Sequence, residues 1–87
     1  MSGKNRNSIS ALIVDEHPIV SASLALVLED EGITVIGRVE DRLELIEALR
    51  SGNPQVLFIE LSFGGDEGSV LIDTLARLRS DLPTIVY

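Results

Sequence analysis

The stretch Ile9-Ser10-Ala11-Leu12-Ile13-Val14-Asp15-Glu16-His17-Pro18 decides how this chain reads. Its first six residues are a short, nearly continuous apolar run that stops abruptly at two carboxylates, as a strand buried on both faces would. Pro18 then suits the first turn of a helix, where its missing N–H is not needed. Val20, Leu24, Val27 and Leu28 recur at helical spacing up to Gly32, a glycine placed to end the helix. Ile19, Ala22, Ala25 and Leu26 make this helix apolar beyond a single stripe, so more than one neighbour is needed to cover it.

Outward from this unit the alternation repeats. Ile33 to Gly37 is short and β-branched and reads as a second strand. Asp41 and Glu44 supply an N-cap and its capping-box partner for a second helix, with Leu45, Ile46 and Leu49 on its apolar face and Gly52 and Pro54 closing it. Val56 to Leu61 is a third strand, interrupted only by Glu60. Ser62 to Gly68, with three glycines and two acids, is a loop. Ser69 is placed to cap a third helix with Leu71, Ile72, Leu75 and Leu78 on its face, and Thr84 to Tyr87 reads as a fourth strand after Pro83. Met1 to Ser8 is polar and without period, a flexible leader to a domain over residues 9–87. Strands and helices in alternation with short connections imply right-handed crossovers and an α/β, doubly wound parallel sheet. An all-helical arrangement is disfavoured because the apolar runs are too short and too β-branched.

Composition narrows the function. At 87 residues there is room for one core, and an apolar share of 45% is enough to build it. Phe58, Phe63 and Tyr87 are the only aromatics, so that core rests on Leu, Ile, Val and Ala. A net charge of −7, with Lys4, Arg6, Arg38, Arg42, Arg50, Arg77 and Arg79 scattered along the chain, argues against direct binding of nucleic acid or anionic membrane by this segment. The absence of cysteine excludes disulfides and thiolate metal sites and points to the reducing cytoplasm. Asp15, Glu16 and His17 interrupt the apolar stretch that an export signal after Lys4 and Arg6 would need.

Three blocks together resemble the receiver domain of two-component response regulators, in the branch that carries a LuxR-type helix-turn-helix output. They are Leu12 to Pro18, Pro54 to Leu61, and the loop Ser62-Phe63-Gly64-Gly65-Asp66-Glu67-Gly68, with Gly37 falling where the family often has a glycine. The resemblance runs from about Ile9 to Tyr87 and implies a flavodoxin-like fold with strand order 2-1-3-4, the family's fifth strand and last two helices being absent. It places Glu60 at the position of the family's phosphoacceptor aspartate. One extra methylene moves the carboxylate by about a bond length, and in-line phosphoryl transfer tolerates little misplacement. The family's Thr or Ser at the tip of the fourth strand and its Lys after the fifth both fall beyond Tyr87, so the usual switch is expected to be lost.

Several readings of individual residues follow. Asp15, Glu16 and Glu60 should converge at the carboxyl ends of the first and third strands, where Mg²⁺ could be held with the carbonyl of Ser62. The simpler alternative is a solvated acidic pocket without metal, and no cofactor is required. Glu60 as a mimic of the phosphorylated state is the weaker reading, since a carboxylate carries one charge where a phosphoryl group carries nearly two. His17 is assigned only a part in shaping the start of the first helix. Ser62, Ser69, Asp66 and Glu67 fit caps and helix-dipole partners rather than a triad, there being no second His and no Cys; no catalytic residue and no enzyme are expected. The glycines do not form a phosphate-binding motif.

The expected role is a phosphorylation-independent interaction and dimerisation module in two-component signalling or transcriptional regulation. Its interface would draw on Ala22, Ala25, Leu26 and Val27 of the first helix and on Thr84, Ile85, Val86 and Tyr87 of an exposed edge strand. The leading partner is a second copy; a sensor kinase or another response regulator, bound by an Mg²⁺-holding regulatory module, is the alternative. An Mg²⁺-dependent acyl-phosphate transfer site on Asp15, Glu16 and Glu60 is the remaining one, weakened by the lack of a nearby lysine.

Overall fold

The computed structural model describes residues 8–65, 68–79 and 81–87. The expected leader residues Met1 to Asn7, the acids Asp66 and Glu67, and the side chains of Ser69, Ile72 and Leu78 lie outside that description. Seven elements alternate along the chain: β1 (Ser10–Val14), α1 (Pro18–Asp30), β2 (Thr34–Val39), α2 (Arg42–Ser51), β3 (Val56–Ile59), α3 (Gly68–Leu78) and β4 (Thr84–Val86). The strands form one parallel sheet in the order β2-β1-β3-β4, the flavodoxin-like arrangement expected from the sequence.

Strand alternation divides the core between two faces. Leu12 and Val14 of β1 and Leu57 and Ile59 of β3 point to one face, where they pack with Val39, Leu45, Phe63, Leu75 and Leu82, and with the half-buried Ala48 and Leu49 of α2 and Leu71 of α3. Ala11 and Ile13 point the other way and are equally buried. α1, which packs on β1 and β2, covers that second face. Of α1 only Ser21 and Leu28 are buried.

Local chemistry explains where the helices stop and start. α1 ends at Asp30 with Glu31 as its C-cap, and Gly32 follows at φ +90, a conformation that residues with a Cβ adopt only under strain. The Gly32 N–H donates to Glu29 O and the Ile33 N–H to Leu28 O, each at 3.0 Å, which satisfies carbonyls the helix would otherwise leave open. At the start of α2, Asp41 Oδ1 accepts from the Glu44 N–H at 2.8 Å as expected. The return arm differs from a standard capping box, because Glu44 Oε1 accepts from the N–H of Glu40, one residue before the cap.

Several element bounds differ from the sequence reading. β1 starts at Ser10 rather than Ile9, and β4 ends at Val86. β2 begins one residue later and runs two residues further than expected, to Val39, because a bulge at Ile36 re-registers it on β1: Ala11 faces Val35, whereas Leu12 faces Gly37. A Cβ on Gly37 would come within 3.2 Å of Leu12 Cδ1, so a larger residue here would press on that side chain. β3 ends at Ile59, which leaves Glu60 and Leu61 outside the strand. α3 begins at Gly68, so Ser69 lies inside the helix and is not its cap.

Leu57 is fully buried at the centre of the sheet. Leu57→Ala should therefore lower the unfolding free energy by about 2–5 kcal/mol, a large share of a small domain's total, read as a fall in the urea midpoint with an unchanged m-value.

Candidate functional site

Backbone register assembles the site. Val14, Ile59 and Val86 are neighbours across β1, β3 and β4, so the next residue of each strand, Asp15, Glu60 and Tyr87, falls in the same row. The ladder continues through that row. Asp15 N–H donates to Val39 O, Glu60 N–H to Val14 O, and Tyr87 N–H to Ile59 O, each at 3.0 Å. Three side chains from distant parts of the sequence therefore meet at the carboxyl edge of the sheet, where doubly wound folds place their ligands.

Asp15 is the centre of this group and is completely buried. Its Oδ1 accepts two hydrogen bonds from His17, one from the backbone N–H and one from the ring Nδ1–H, both at 2.8 Å. Its Oδ2 accepts from the Tyr87 hydroxyl at 2.7 Å. Glu60 Oε1 approaches His17 Nδ1 at 3.8 Å from the other side. Glu60 is also folded back on its own turn: Oε2 accepts from the Ser62 N–H at 2.7 Å, and Ser62 Oγ donates to Oε1 and Oε2 at 2.6 and 2.8 Å.

These contacts set the protonation states. Burial works to raise the Asp15 carboxyl, but the Tyr87 hydroxyl and the His17 amide and ring all favour the anion and hold Asp15 below the usual 3.8. The hydrogen bond to Asp15 raises His17 above its ordinary 6.5; burial opposes this, and the charges of Asp15, Glu60 and Glu16 add to it. Beside an ionised carboxylate the Nδ1 atom carries the ring proton. Burial, and then the hydrogen bond and negative charge of Asp15, push the Tyr87 phenol well above its usual value, so it remains a donor.

One donor atom each from Asp15, His17 and Glu60 lies within 4.8 Å of the others, which makes this trio the metal-competent group among the described residues. It differs from the set expected for Mg²⁺. Glu16 is exposed and outside the trio. The Ser62 carbonyl accepts from the Gly65 N–H at 2.9 Å within its own turn.

Sequence reading missed two members of the site. His17 is the N-cap residue of α1 but makes no side-chain cap; its ring is committed to Asp15. Tyr87 was grouped with a docking edge, yet its hydroxyl points back to a residue 72 positions earlier. Only its place one residue beyond β4, level with Asp15, could have signalled this. The proposed contact residues otherwise lie at the surface: Leu26, Val27, Thr84, Ile85 and Val86 are exposed, whereas Ala22 and Ala25 are half-buried beside a groove that runs along Val35 to Arg38 of β2.

Comparison with known proteins places the chain in a family. Residues 11–87 match the family model described as the response regulator receiver domain. The chain is 36% identical over 84 residues to the transcriptional regulatory protein RcsB of Escherichia coli, covering 92% of this chain and 39% of RcsB. It is 27% identical over 75 residues to a putative transcriptional regulator of Pseudomonas aeruginosa, covering 86% of this chain and 36% of that protein. Among solved structures, RcsB of Salmonella enterica serovar Typhimurium, bound to promoter rprA with the phosphomimetic BeF3−, superposes with a TM-score of 0.81 at 36% identity, over 92% of this chain and 42% of that one. The chain thus spans about two-fifths of these relatives. No helix among the described residues is long and apolar enough to cross a membrane.

Two expectations follow from the site. Because His17 is raised in the folded state, its contribution to stability is complete below pH 6.5 and is lost as pH climbs through the higher folded value. Denaturant titrations at a series of pH values should show the wild type losing stability relative to His17→Ala as pH rises past neutrality. Tyr87→Phe removes one hydrogen bond to the buried Asp15 anion and should lower stability at pH 7 by about 1 kcal/mol, a modest figure because Tyr87 is partly exposed. Since Asp15 is lowered, that difference should persist above pH 3.8 and shrink as acid protonates Asp15, which the same titrations would resolve.

Proposed function

We propose that this chain, which belongs to the response regulator receiver-domain family, is a phosphorylation-independent protein-interaction and dimerisation module of two-component signalling. It acts in the cytoplasm as a binding module, without an enzymatic step of its own.

Glu60 is the observation that carries this reading. It stands where the family has its acceptor aspartate, and its carboxylate is folded onto the Ser62 N–H and Oγ rather than presented to a phosphodonor. The added methylene displaces the oxygen that would have to attack in line, and phosphoryl transfer is governed by such placement. Asp15, the nearest other carboxylate, already has both oxygens hydrogen-bonded.

Self-association through α1 is supported by its outer surface. Ile19 is 83% exposed, Leu26 72% and Val27 59%, so three large aliphatic side chains on one helix meet water. A second copy related by a twofold axis could cover them with the same residues. The edge residues Thr84, Ile85, Val86 and Tyr87 offer a further surface, and a sensor kinase or an intact response regulator could compete for either. RcsB dimers have been solved on DNA. For this acidic segment any effect on transcription would run through its partner rather than through direct contact with nucleic acid.

Sedimentation equilibrium with and without acetyl phosphate and Mg²⁺, combined with intact-mass measurement, tests the reading. A dimer unaffected by the phosphodonor and no phosphoryl adduct are expected. Leu26→Glu should weaken association by at least ~10-fold, because it places a charge in an apolar contact. A phosphorylated Glu60, dimerisation driven by the phosphodonor, or a monomer at every concentration would refute it.

A further inference from the structure

We infer that two copies of this chain stack face to face, so that α1 of each lies in the lane left over β3 and β4 of the other. The inference rests on the self-association proposed above and specifies its geometry.

Unequal cover on the two sides of the sheet creates the lane. A helix is about 10 Å wide and strands lie about 4.8 Å apart, so one helix covers roughly two strands. On the face built from Leu12, Val14, Leu57 and Ile59, both α2 and α3 supply cover. On the other face α1 packs on β1 and β2, and among the described residues no second helix lies beside it. Phe58 is paired with both Ile13 and Ile85, and Val56 with Ala11, so alternation puts Val56, Phe58 and Ile85 on this second face. Val56 and Phe58 are half-buried and Ile85 is exposed, which makes the lane apolar and open to water.

α1 carries the matching surface. Ser21 and Leu28 mark its inner side, and Ala22, Ala25 and Glu29 line the groove on its β2 flank. At about 100° per residue, Ile19 and Leu26 then fall on the outer side, and Val20, Leu24 and Val27 on the flank toward β3 and β4. Ile19, Val20, Leu26 and Val27 are all exposed. A helix held between two sheets must be apolar toward both, which is the pattern α1 shows.

Symmetry leaves one way to join these surfaces. A twofold axis running across the strands would stack the two copies of α1 on each other and leave both lanes empty. An axis along the strands sets the two helices side by side and parallel, each over the other copy's β3 and β4. Such an axis preserves height along the strands. Arg38, in the same row as Ile13, Phe58 and Ile85, bonds to Pro18 O and Ser21 Oγ, so Ile19 stands level with the partner's Ile85. Val20, Leu24 and Val27 meet their own counterparts at the four-and-three spacing of a parallel helix pair.

Area argues for a second copy as the occupant. The 13 residues of α1 make each helix–lane contact about 20 Å long. Two such contacts with the helix seam bury on the order of 1,200 Å² over both copies, the lower limit of specific interfaces. A single unrelated helix would fill one lane and fall well short.

The test uses the whole chain, which contains no cysteine, so introduced cysteines report proximity directly. Sedimentation equilibrium should show a dimer. A short bis-maleimide should link I19C to I85C in a mixture of the two variants and V20C to itself, but neither I19C nor I85C to itself. I85E should weaken association by at least ~10-fold with an unchanged circular dichroism spectrum. If I85E does not fold, the mixed cysteine pair decides. Self-linked I19C or I85C, or no mixed product from a dimeric sample, would overturn this geometry and leave self-association standing. A monomer at every concentration would overturn both.

Discussion

The alignment of Val14, Ile59 and Val86 across three parallel strands is the constraint on which the rest depends. Each of these residues is followed by a polar one, so the register that packs the sheet also delivers Asp15, Glu60 and Tyr87 to a common edge. A slip of one residue would turn Leu12, Val14, Leu57 and Ile59 away from the face they share with α2 and α3. The apolar core and the polar row are thus specified by the same hydrogen bonds, and neither can shift without the other.

Burying the Asp15 carboxylate is costly unless its charge is answered, and three donors answer it. Two come from His17, two residues away, and depend on the turn into α1. The third comes from Tyr87 and depends on β4 being paired. The site therefore ties the first strand to the last: the Tyr87 hydroxyl bond closes a loop over almost the whole chain. No buried polar side-chain atom among the described residues lacks a partner, so the row is satisfied by the chain's own groups. A phosphoryl group arriving at Glu60 would have to displace contacts that Ser62 and His17 already make.

Much of the fold was legible because local and global signals agreed. The apolar run into Asp15, Gly32 at φ +90, and Asp41 opposite the Glu44 N–H each follow from a rule acting over a few residues. Strand ends were harder. The bulge at Ile36 lengthens β2 beyond its β-branched run, and only the presence of β1 beside it creates the bulge. The acidic half of the site was readable, since Asp15 and Glu60 terminate adjacent strands. Its other half was not: a histidine before proline signals a helix start whether or not its ring has a partner, and Tyr87 looks like edge apolarity until β4 is registered on β3. Ser69, a good cap by type, lies within α3 because the helix begins one residue earlier.

α1 shows why a helix apolar on so many sides can coexist with a stable sheet. Few of its residues are buried, so apolar packing alone does not hold it. Its first turn is tethered instead, with Arg38 Nη1 on β2 donating to Pro18 O at 3.3 Å and to Ser21 Oγ at 3.1 Å, and Ser21 Oγ itself donating to Pro18 O at 3.1 Å. Its last turn is closed by the Gly32 and Ile33 amides and anchored by Leu28. A helix fixed at both ends by directional bonds needs little of its middle surface for folding. Substitutions of Leu26 or Val27 can then act on association without first unfolding the monomer, which separates the proposed interface from the core physically as well as by location.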